Sequence, residues 1–74
     1  MDAQATLTKA KTHLAGIEKE QDALIAAARR QLEVAEEHGF NTESAQKKLD
    51  ELQQRREVAV TRAKERVSEA EKAV

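Results

Sequence analysis

The chain has 74 residues, and its 13 basic and 14 acidic side chains leave a formal net charge of -1. That balance argues against a dedicated nucleic-acid or anionic-membrane binder, both of which need a strong positive field. There is no cysteine, hence no disulfide framework or thiolate metal site, and no stretch approaches the roughly eighteen consecutive apolar residues of a membrane span.

Charged residues make up 36% of the sequence and apolar ones 39%, many of them alanine, which is the composition of long helices and coiled coils. Proline, tryptophan and tyrosine are absent, and Phe40 is the only aromatic. A chain of this size is one small domain near the limit of independent stability. Met1-Asp2-Ala3-Gln4 has neither the basic start nor the apolar run of a signal peptide, so the expected location is the cytoplasm.

The first helix is expected over about residues 3–38, with Asp2 accepting from the free amides of its opening turn. Its seam reads Leu7, Ala10, Leu14, Ile17, Gln21, Leu24, Ala28, Leu32 and Ala35. Spacings alternate three and four as far as Leu24, then step four and four to Leu32. Such a stutter locally unwinds a left-handed supercoil. Gly16 interrupts the helix and is expected to face outward, costing about 1 kcal/mol relative to alanine.

The turn is expected at about residues 39–41. Gly39 supplies the left-handed residue that ends the first helix, and Phe40 follows two places past the cap. Asn41, or Thr42 one residue later, caps the second helix. Phe40 is then placed to touch Ala35 and to staple onto Ala45, a lid over the last layer of both seams. On that reading Phe40→Ala costs about 1 to 3 kcal/mol.

The second helix, about residues 42–73, carries the seam Ala45, Leu49, Leu52, Arg56, Ala59 or Val60, Ala63, Val67, Ala70 and Val74. Glu43 suits the positive end of its dipole, and Glu43–Lys47 and Glu51–Arg55 are favourable i to i+4 pairs. The pattern is still in phase at Val74, which suggests either a piece of a longer chain or a fraying end.

Folded antiparallel about Phe40, the two seams pair residues whose numbers add to about 80. Leu14 meets Val67, Ile17 meets Ala63, Ala28 meets Leu52 and Leu32 meets Leu49, several layers matching a large residue with a small one. On the flanks, Glu20 falls near Arg62 and His13 near Glu69. The expected fold is therefore all-α, an antiparallel two-helix coiled-coil hairpin over residues 1–74, which can dimerise into a four-helix bundle. Two adjacent layers are polar, Gln21 against Ala59 or Val60 and Leu24 against Arg56. A polar seam residue commonly fixes register at some cost in stability, and the Arg56 stem can cross Leu24 with its head in water. A hinge or docking point is the functional alternative for this region.

No catalytic, cofactor-binding or metal-ligating residues are expected, since a single hairpin offers no enclosed pocket with convergent polar groups. His13 and His38 lie roughly 35 Å apart along one helix and cannot share a metal. His38 reads as a capping residue in the last turn. Arg29, Arg30, Arg55 and Arg56 fall together in the paired register and make an RNA-binding face conceivable. Glu33, Asp50 and Glu51 lie among them, and stacking aromatics are missing.

The seam is rich in alanine, so the hairpin alone is marginal and association is the expected remedy. Ile25, Val34 and Val58 lie outside the seam, and Ile25 shares a weakly charged flank with Thr61 and Ser68. The expected partner is another protein or a second copy of the chain, a homodimer in the simplest case. Neither a membrane nor a small-molecule substrate is implied. The functional expectation is a structural or protein-interaction hairpin, a spacer or docking module. The alternatives are a small dimeric RNA-binding regulator and a secretion-type chaperone hairpin that shields a partner's helix.

Overall fold

A computed structural model describes residues 2–74. It contains two helices, α1 (Ala3–Glu37) and α2 (Glu43–Lys72), packed against each other as a hairpin. The rod measures 56 × 14 × 12 Å, one helix pair wide along its whole length. Neither helix is long and apolar enough to cross a membrane.

The ends of α1 follow from local chemistry. Asp2 accepts from the Gln4 amide at 3.0 Å, satisfying one of the orphan donors of the first turn. Just inside that cap, the hydroxyls of Thr8 and Thr12 donate to carbonyls four residues back, each at 3.0 Å. At the other end Gly39 takes φ +69°, while its amide donates to Glu36 O and the Phe40 amide donates to Ala35 O at 2.9 Å. Those two bonds make a Schellman motif, which only a residue tolerant of the left-handed region can close. Asn41 then accepts from the Glu43 amide at 3.0 Å, whereas the Thr42 side chain makes no capping bond. Asn41 is thus the side chain that caps α2.

Phe40 is not the lid that the sequence suggests. It is 65% exposed, and its ring stacks on His38 with centroids 5.6 Å apart rather than closing over the end of the seam. The Schellman bonds fix the Phe40 backbone, and the ring follows the outward direction this leaves it. Phe40→Ala should therefore lower stability by less than about 1 kcal/mol, as for other largely exposed positions, with thermal melting followed by circular dichroism as the measurement.

Along the rod the buried residues are Leu7, Ile25 and Ala28 in α1 and Leu49, Val60, Ala63 and Val67 in α2. Ile25, Ala28 and Leu49 form a cluster against which Leu32 and Leu52 pack. This is the expected register near the turn, but the middle of α1 differs. Ile25 is 8% exposed and lies in the seam, while Leu24 is 45% exposed and lies outside it. The four-four step therefore falls at Ile17–Gln21–Ile25, one heptad nearer the N-terminus than Leu24 implies.

The reason lies in the facing helix. In α2 the seam takes Val60, leaving Ala59 half-buried beside it, so it too steps four and four at Leu52–Arg56–Val60. Leu14 to Ile25 and Leu49 to Val60 are both eleven residues apart. An eleven-residue repeat unwinds the left-handed drift of a heptad seam, and two helices in contact can unwind only together. Placing the two steps at adjacent layers keeps the layers on either side of them matched. Gly16, by contrast, is exposed as expected, with open space where a Cβ would stand.

Candidate interaction surface

Arg56 is the polar residue that α2 contributes to the seam. Its stem is half-buried, and its Nε donates to Asp22 Oδ1 across the two helices at 2.7 Å. The head is thus held by a carboxylate of α1 rather than left to water, and the α1 residue nearest in register is Ile25, not Leu24. Asp22 remains 62% exposed at its side chain, so solvent screens the pair, and its contribution is of the order of 0 to 1 kcal/mol. It specifies alignment more than it adds stability: sliding one helix by a residue would separate the two groups. No other ion pair closes among the described residues. The expected i to i+4 partners Glu43–Lys47 and Glu51–Arg55 remain solvated, as do the flanking neighbours Glu20–Arg62 and His13–Glu69.

The four arginines do not share one face. Arg29, Arg30 and Arg56 border a shallow open groove together with Asp22 and Glu33, so two carboxylates sit among three guanidinium groups. Arg55 points to the other side of α2, where it borders concavities with Glu51, Val58 and Arg62. Consecutive residues of a helix lie about 100° apart, which is enough to put Arg55 on one edge while Arg56, in the seam, turns its head to the other. The arginine face of the RNA-binding alternative is thus split, and its larger part is partly neutralised.

Ile25 belongs to the core and is not available to a partner. The large apolar residues that remain outside are Leu24, Val34 and Val58 along the rod, with Phe40 and Val74 at its ends. On α1, Ala27 and Val34 border an outward concavity with Arg30 and Gln31. On α2, Val58 and Ala59 border another. The known families, curated proteins and solved structures contain no match to this chain.

Leu24 is the residue that sequence reasoning missed on this surface. Choosing Val60 over Ala59, as the larger apolar side chain, gives α2 its four-four step. The matching step in α1 then selects Ile25 for the seam and frees Leu24. The remaining polar residues offer no convergent chemistry: His13 borders a groove with Ile17 and Arg62, and His38 stacks on Phe40 at the tip. No group of three or more metal-ligating side chains occurs among the described residues.

Proposed function

We propose that this chain is a structural and protein-interaction module, a coiled-coil hairpin that spaces or docks helical partners and associates with itself. The observation that carries the reading is the shape of the apolar surface. A rod 56 Å long buries a single narrow seam and leaves Leu24, Val34 and Val58 each close to half exposed on its outside. Apolar side chains standing out from both helices of a stiff hairpin are what further helices cover when it becomes part of a larger bundle. Seam burial is small for the number of residues ordered, so covering those residues adds stability the hairpin lacks by itself.

The test is sedimentation equilibrium of the full chain at micromolar concentration, paired with thermal melts over a range of concentrations. The expected result is a weight-average mass above the 8.2 kDa of one chain and a midpoint that rises with concentration, as mass action requires. Replacing Leu24 and Val58 by Asp should return the mass to that of one chain while leaving helicity intact. A sharp monomer whose cooperative melt is independent of concentration would remove self-association.

A further inference from the structure

Eight charged residues of α2 fall in two rows. Leu49, Arg56, Ala63 and Ala70 recur every seven residues on the side facing α1, and all four are buried or half-buried. The residues just before them are Lys48, Arg55, Arg62 and Glu69, and all are exposed. Those just after the first three are Asp50, Glu57 and Lys64, a row that Glu43 begins one heptad earlier, and these too are exposed. Because each row is one residue from the seam, in opposite directions, they run along opposite edges of the hairpin. None of the eight residues makes an ion pair within the chain. Asp50 only accepts from Gln46, at 3.0 Å.

The signs of the two rows match. One reads plus, plus, plus, minus, and the other minus, minus, minus, plus. Each changes sign at its fourth position, so a single displacement satisfies all four; Glu71, which continues the second row one heptad on, has no counterpart at that displacement. With a neighbouring hairpin parallel to the first and shifted by five residues, Lys48 lies level with Glu43 of the next copy. Arg55 then meets its Asp50, Arg62 its Glu57, and Glu69 its Lys64. In-register pairing, with Arg62 beside Lys64 and Glu69 beside Glu71, fails in the last two places. The same shift carried to α1 sets His13 level with Glu18 of the next copy, without opposing like charges there.

From this complementarity we infer that the basic edge of α2 receives the acidic edge of a second copy, giving an open side-by-side ribbon of parallel hairpins. The receiving edge is shaped for a helix. Successive shallow concavities lie between Lys48 and Arg55 over Leu52, then between Arg55 and Arg62 over Val58 and Ala59, with Glu51 the one carboxylate bordering both. A third continues past Arg62 over Ala63. Apolar floor supplies contact area, and the charge rows supply register and exclude the antiparallel neighbour. A net charge of -1 leaves little overall repulsion to oppose stacking. The two edges are different surfaces, so the contact is heterologous, and between parallel copies related by a displacement it does not close on itself.

This inference rests on the interaction-module reading and narrows it to one contact. The test is sedimentation velocity of the full chain at low and high salt, about 20 mM and about 0.5 M, where the screening length falls from about 20 Å to about 4 Å. Expected at low salt is a broad distribution whose mean mass keeps growing with concentration, and at high salt the loss of that growth. Lys48→Glu/Arg55→Glu/Arg62→Glu should abolish growth at unchanged helicity. Adding Glu43→Lys/Asp50→Lys/Glu57→Lys to that variant should restore it, since the reversed rows match again and the net charge returns to its original value. Growth of the triple variant equal to that of the unaltered chain would overturn the inference, as would failure of the sixfold variant to recover. A dimer that forms equally at both salts and grows no further would also overturn it, while leaving the interaction-module reading intact.

Discussion

Ile25→Ala should cost about 2 to 4 kcal/mol, whereas Leu24→Ala, one residue away, should cost less than about 1 kcal/mol. Both substitutions remove an aliphatic side chain of the same size from the same turn of one helix, so helix propensity nearly cancels between them. What differs is burial: Ile25 is 8% exposed and packs in the cluster with Ala28 and Leu49, while Leu24 is 45% exposed. Truncating Ile25 leaves a hole beside Leu52 that a two-helix rod fills poorly, since Arg56 on the facing helix is already tied to Asp22. For a domain of this size a loss of that order lowers the melting midpoint by roughly 10 to 30 °C. Chemical denaturation of the two variants in parallel measures the difference. Equal losses would place the seam between the two residues, and a larger loss at Leu24 would restore the heptad that its position in the sequence first suggests.

The Leu24–Ile25 pair also shows where the sequence is legible and where it is not. The hairpin itself follows from patterns that need no partner: apolar residues at three-four spacing, Asp2 at the start, and Gly39 before Asn41 in the turn. These are local signals, and each acts within a helix turn of itself. The course of the seam through Gln21 and Arg56 is a different kind of property. With a polar residue in each of two adjacent layers, the apolar pattern of α1 alone fits Leu24 and Ile25 about equally. The choice is made by the step that Val60 imposes on α2, a constraint carried between helices. The interaction surface inherits the same difficulty, because whatever the seam does not take is what a partner can reach. Phe40 failed for another reason. Its position relative to the two caps suggested a staple, but the Schellman bonds of Gly39 and Phe40 fix the backbone first, and the ring comes to rest on His38.

The two glycines make a second test, because substitution by alanine should act in opposite directions. A Cβ built on Gly16 or on Gly39 meets nothing within 4 Å, so neither change creates a clash with other residues. Only the backbone distinguishes them. Gly39 has φ +69°, where an L side chain crowds its own carbonyl, and Gly39→Ala should destabilise the hairpin by about 1 to 2 kcal/mol. Gly39→Asn should lose less, since asparagine tolerates this region better than alanine does. Gly16 lies within α1 at an exposed position, and Gly16→Ala should add about 0.5 to 1 kcal/mol by removing conformational freedom from the unfolded chain. Thermal melts of the three variants at one fixed concentration measure both signs while holding any association constant. The Gly39 loss has a further consequence. The amides of Gly39 and Phe40 satisfy carbonyls of Glu36 and Ala35 only while the left-handed residue holds, so its replacement frees the last turn of α1 and the direction of α2 together. If Gly39→Ala instead melted with the unaltered chain, the caps would be following the packing of the two helices rather than directing it.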